Sequence, residues 1–126
     1  MEMKREPIAV RLREGLLMAN KKQADLVRET GLDRGSISSY LAGKYEPKQK
    51  AIYLIAKSLN VSEAWLLGFD VPMYRTDEQK KNDQLVELVD KIRGNEKFYS
   101  LVNKLGMLEN EQLDLIDKLV DSLSQK

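Results

Sequence analysis

A chain of 126 residues with 42% hydrophobic and 33% charged residues has the composition of a globular protein, with room for one ordinary domain or a very small one plus an association segment. It contains neither cysteine nor histidine, which excludes disulfides, thiolate or imidazole metal sites and thiol nucleophiles, and removes the commonest general base of hydrolytic enzymes. The net charge of +1 hides a division: residues 1–69 carry 12 Lys/Arg against 8 Asp/Glu, a net of +4, and residues 70–126 carry 9 against 12, a net of −3. A basic front and an acidic rear suit a module that touches phosphate joined to one that stays away from it.

The N-terminus, Met1-Glu2-Met3-Lys4-Arg5-Glu6-Pro7, lacks the apolar core of a signal peptide, and no apolar run approaches the roughly 18 residues of a membrane span. A cytoplasmic protein with no membrane partner is expected. The first helix is predicted over about Pro7 to Lys21, with Ile8, Leu12, Leu16 and Leu17 at helical spacing and Pro7 suited to a first helical position. A second fits Gln23 to Glu29, with Ala24, Leu26 and Val27 inward, and closes at Thr30-Gly31, where glycine admits the left-handed conformation.

Asp33 stands where an N-cap is wanted for a third helix, Arg34 to Ala42, which stops at Gly43. Ile37, Tyr40 and Leu41 fall on one side of it; Arg34, Gly35, Ser36, Ser38 and Ser39 are small or polar. After Lys44-Tyr45-Glu46-Pro47, a fourth helix from Lys48 to Leu59 is expected to bury Ile52, Leu54, Ile55 and Leu59, and Ser62 to cap a fifth that ends at Gly68. Ile37, Tyr40, Leu41, Leu54 and Trp65 are assigned to the core. Five short helices and no alternating pattern make an all-α domain over residues 1–69.

Residues 70–83 read as a linker, broken at Pro72, with Thr76-Asp77-Glu78 offering a helix start. Helical spacing resumes over 84–126 at Leu85, Leu88, Val89 and Ile92, then at Phe98, Leu101, Val102 and Leu105. It ends with a helix over about Glu111 to Ser124 that carries Leu113, Ile116, Leu119, Val120 and Leu123. Three short helices can hardly bury this stripe alone, so a small helical oligomerisation segment is expected, most simply closed by the same stripe of a second chain. Leu113, Ile116, Leu119, Val120 and Leu123 are the candidate dimerisation residues. The stripe fixes association without fixing its number, homodimer or higher oligomer.

Two short helices joined by a Gly-containing turn, the second with an apolar back and a small, polar front, meet the physical demands of a reader in a major groove roughly 12 Å wide. The pattern resembles the lambda-repressor-like helix-turn-helix family, the Cro/C1-type or XRE group. It is carried by Gln23, Ala24, Leu26-Val27, Gly31-Leu32, Ser36-Ile37-Ser38, Tyr40, Gly43-Lys44, Pro47 and Ile55-Ala56-Lys57-Ser58-Leu59-Asn60-Val61-Ser62. The stretch Val61 to Met73 is similar, more narrowly, to repressors of temperate phages of Gram-positive bacteria. Gly35, Ser39 and Leu41 depart from residues common in the family, which leaves the operator sequence open.

The resemblance implies a sequence-specific regulator that binds an inverted-repeat operator of double-stranded DNA as a homodimer. Arg34, Gly35, Ser38 and Ser39 are the candidate base contacts, Arg34 first because a guanidinium pairs bidentately with guanine. Gln23, Ser36, Lys44, Tyr45 and Lys48 are the candidate phosphate contacts. Many relatives continue into a self-cleaving peptidase that uses a serine and a lysine; here the rear half is helical, and Ser100, Ser122 and Ser124 read as exposed helix residues. No enzyme activity, metal or cofactor is expected, and release from DNA, if any, is expected to come from a partner, such as an antirepressor protein, or from dilution rather than from self-cleavage.

Overall fold

The computed structural model describes residues 6–125; Met1 to Arg5 of the N-terminal stretch read above lie outside the described residues. It contains eight helices among them: α1 Ile8–Ala19, α2 Gln23–Thr30, α3 Arg34–Leu41, α4 Gln49–Leu59, α5 Glu63–Leu66, α6 Asp77–Gly94, α7 Glu96–Leu105 and α8 Asn110–Ser124. No strand forms among these residues; a single antiparallel bridge joins Val61 to Tyr74. The fold is all-α, and the chain divides into one unit ending at Asp83 and a second from Gln84 onward.

In the first unit α1 packs on α3, α4 and α5, α2 on α3 and α4, and α4 on α5. Their shared core is Ile8, Leu12, Leu16, Leu26, Ile37, Ile52, Ile55, Ala56, Leu59, Val61, Trp65 and Leu66. Local signals set the boundaries. Asn20 and Asn60 close α1 and α4 in the left-handed conformation, a place that asparagine tolerates better than other side chains. Ser62 accepts from the Trp65 N–H at 3.3 Å to start α5.

Several expectations for individual side chains are corrected. Pro7 is the N-cap of α1, not its first residue. Leu17 is 79% exposed, because it falls just off the face that α1 turns to α3 and α5. Ala24 is exposed on α2, and Leu54 is only half-buried on α4. Tyr40 and Leu41 are half-buried and pack on the rim of the core, while Ile37 and Trp65 lie within it.

Residues 70–83 are not a free linker; they are part of the first unit. The Ser62 N–H donates to the Met73 carbonyl at 2.8 Å and the Arg75 N–H to the Asn60 carbonyl at 3.2 Å, so the chain runs briefly antiparallel to the α4–α5 connection. Arg75 is then buried. It donates from Nη1 to the Val61 carbonyl at 3.0 Å and to Glu63 at 3.1 Å, and from Nε and Nη2 to both oxygens of Asp83. Its guanidinium also lies 5.7 Å from the centre of the Tyr53 ring, near enough for a cation–π contact. A buried cation is tolerated only when its donors are satisfied, and here four hydrogen bonds to three residues engage them.

The second unit differs in kind. No residue from Gln84 to Gln125 is buried. Leu113 and Ile116 are half-buried, whereas Leu119, Val120 and Leu123 are more than half exposed.

Candidate nucleic-acid interface

Helix α3 is short, eight residues, and a helix of that length is unstable alone. Three contacts hold it. Ile37, with no solvent exposure, anchors its back in the core beside Leu26. The Asp33 carboxylate accepts from the Ser36 N–H at 3.1 Å, capping its start, a contact of a kind worth about 0.5–2 kcal/mol. At its far end Arg13 of α1 donates from Nη2 to the Leu41 carbonyl at 2.6 Å. Gly43, at φ +76°, then turns the chain away, a conformation that a side chain would strain.

The preceding helix is fixed as firmly. The Lys22 N–H donates to Asp25 at 2.9 Å, and Arg28 donates to the same carboxylate. These two bonds hold the Asp25 carboxyl below its ordinary pKa, the backbone bond being the larger cause. Lys21 reaches both Glu29, at 2.7 Å, and the Ser58 carbonyl, also at 2.7 Å. Its hydrogen bond to Glu29, then that of Ser58, lowers the Glu29 pKa. The Lys21 ammonium so ties the ends of α1, α2 and α4 together. The turn between α2 and α3 uses Gly31 at φ +74°.

What this scaffold presents is a front of α3 on which Arg34, Gly35 and Ser38 are exposed and Ser39 and Ser36 half-exposed. Arg34 makes no hydrogen bond or ion pair with any described residue, so its guanidinium is available to a ligand. The candidate residues converge around α3 in three open recesses. Arg34 shares one of about 300 Å³ with Gln23, Ala24 and Val27. Ser38 and Gln23 share a second with Arg13, Lys21 and Lys22. Ser36, Tyr45 and Lys48 share a third with Tyr40, Glu46 and Lys50. Lys44 is exposed in the loop that follows the helix.

Two features of this surface escaped the sequence reading. Lys22 and Lys50 border the same recesses as the candidate phosphate contacts, and they stand within two positions of Gln23 and Lys48. Glu46 puts one negative charge among Tyr45, Lys48 and Lys50. The candidate association residues Leu113, Ile116, Leu119, Val120 and Leu123 all belong to α8, in the second unit. Ser100, Ser122 and Ser124 are exposed on α7 and α8, and the Ser124 hydroxyl donates to backbone carbonyls one turn earlier. No described helix is long and apolar enough to cross a membrane.

Residues 12–66 match the family model described as Helix-turn-helix. No curated protein matches the chain. Among solved structures, the crystal structure of hypothetical transcription factor NHTF from Neisseria is similar at 24% identity, over 56% of this chain and 86% of that one, with a TM-score of 0.48. The family match takes in residues 12–66, just under half of the chain, and the α2–turn–α3 arrangement lies inside it.

Proposed function

We propose that the chain is a sequence-specific repressor of the temperate-phage or mobile-element type, which reads an inverted-repeat operator as a homodimer through α3. The observation that carries the reading is the front of α3. An unpaired, exposed arginine stands at the helix start, beside a glycine and serines small enough to let the helix approach base edges. A solvated helix face would instead carry long charged residues. Arg34, Gly35, Ser38 and Ser39 contact bases in this reading, and Gln23, Ser36, Lys44, Tyr45 and Lys48 hold phosphates on either side.

The second unit supplies association through α8. Two recognition helices then enter major grooves about 34 Å, or a multiple of that, apart on one face of the duplex. Bound there, the dimer blocks or redirects RNA polymerase, and an antirepressor-type protein is the expected means of release.

Selection of bound duplexes from a random pool tests the reading. It is run at about 150 mM salt, where nonspecific attraction to phosphate is largely screened. Enrichment of an inverted repeat is the expected result. A folded, associated sample that enriches nothing would assign the fold to protein interaction instead.

A further inference from the structure

We infer that α8 of one copy seats on α7 of a second copy, with an acidic flank against a basic one, and that the second unit is completed only by this exchange. The inference rests on the homodimer reading above and specifies which surfaces meet.

The second unit cannot be a finished fold in one chain. None of its described residues is buried, and among the described residues no two of α6, α7 and α8 pack closely on one another. At ten residues α7 is shorter than the roughly 12–15 at which an isolated helix becomes even marginally stable. Yet each helix carries an apolar stripe: Phe98, Leu101, Val102 and Leu105 on α7, and Leu113, Ile116, Leu119, Val120 and Leu123 on α8. Leu101 is 50% exposed and Leu123 68%.

Charge selects the occupant. Seven residues apart on α7, Lys97 and Lys104 fall on one flank of its stripe. They line an open groove of about 580 Å³ together with Leu101, Ser100 and Glu96. On α8, Asp117 and Asp121 fall beside that helix's stripe, while Asp114 and Lys118 lie on the face away from it. None of Lys97, Lys104, Asp117 and Asp121 has an ion-pair partner among the described residues. Pairing α8 with α8 would bring acidic flanks together, whereas α8 on the partner's α7 sets carboxylate beside ammonium and Leu119 and Leu123 beside Leu101. In a two-fold dimer each such contact is made twice.

The test is sedimentation of the full chain without DNA. Lys97→Glu with Lys104→Glu is expected to weaken the dimer by roughly tenfold or more, as is Asp117→Lys with Asp121→Lys, and all four changes in one chain should restore it. Trp65, the chain's only tryptophan, lies in the core of the first unit and reports that this unit stays folded in every variant. On dilution of the parent chain, helical circular dichroism should fall while Trp65 emission holds. Pairing of α8 with α8 would leave the dimer indifferent to the lysine changes, and the chain with all four changes would behave like the aspartate variant alone; that result overturns the exchange but keeps the homodimer. A dimer indifferent to all four charges overturns it likewise, as does dissociation with no loss of helix. A parent chain monomeric at every concentration overturns both, and hands the surface to a different protein.

Discussion

Arg75 and Asp83 meet through two parallel hydrogen bonds, Nε to Oδ2 at 2.9 Å and Nη2 to Oδ1 at 2.8 Å, with both side chains withdrawn from solvent. The pair fastens the start of α6 to the connection between α4 and α5, since Arg75 also holds the Val61 carbonyl and Glu63. Removing one member strands a buried charge, so Arg75→Ala should cost about 3–5 kcal/mol. Denaturant unfolding followed by Trp65 emission measures this. A loss under about 1 kcal/mol would show instead that solvent reaches the site.

The same pair makes a prediction in acid. The hydrogen bonds from Arg75 hold the Asp83 carboxyl below its ordinary pKa, against the opposing effect of burial. A carboxyl depressed in the folded state stabilises it above the unfolded value of about 3.9 and loses that contribution as pH falls through the folded value. Parent stability should therefore drop more steeply below about pH 4 than that of Asp83→Asn, which has no proton to gain. Asp25 and Glu29 are depressed too but are common to both proteins, so the difference isolates Asp83. Parallel curves would contradict the assignment.

Arg34 and the lysines around α3 should fail in different ways. Arg34→Ala is expected to cost about 1–3 kcal/mol on the preferred operator and to relax the preference at one base position, because a base contact discriminates. Lys44→Ala or Lys48→Ala should weaken all sequences alike and lower the salt slope by about one. All three side chains are exposed, so melting temperatures should stay nearly unchanged. Binding isotherms at several salt concentrations, on the operator and on a scrambled duplex, separate the two behaviours.

Most of the first unit was legible in the sequence because its signals are local. Asp33, Gly31, Gly43 and Ser62 punctuate helices through their own backbone preferences, and the apolar spacing of α1 and α4 tracks their buried faces. The start of α6 at Asp77 was signalled by Thr76-Asp77-Glu78. Illegible was the docking of residues 70–83: Arg75 looks like any solvated arginine until Asp83, Glu63 and the Val61 carbonyl, distant in sequence, converge on it. Leu17 and Ala24 misled for the opposite reason, since spacing cannot say how wide a buried face is. The candidate contacts on α3 rest on position within the motif, a signal of the family pattern rather than of local physics.

Gly68 offers a test of how tightly the N-terminal segment closes on the first unit. Its φ is +102°, and a Cβ there would lie 2.1 Å from the Glu6 carbonyl oxygen, whose residue donates its N–H to the Gly68 carbonyl at 3.1 Å. No flexible side-chain end can yield there, because the obstacle is backbone. Gly68→Ala should lose about 1–3 kcal/mol, and hydrogen exchange at the Glu6 amide should speed up. Unchanged exchange would mean that this contact is not what demands glycine.

The exposed stripe of α8 gives the most direct prediction about association. Ile116, Leu119 and Leu123 are at best half-buried within one chain, so replacing all three with serine removes little packing from the monomer. A partner that buries them would lose on the order of 1.5–3 kcal/mol for each. The dimer dissociation constant should therefore rise by roughly a hundredfold or more, with Trp65 emission unchanged. Because two half-sites are then engaged by separate molecules, operator affinity should fall while binding to an isolated half-site stays the same. If sedimentation and operator binding both match the parent, α8 is not the surface through which the protein associates.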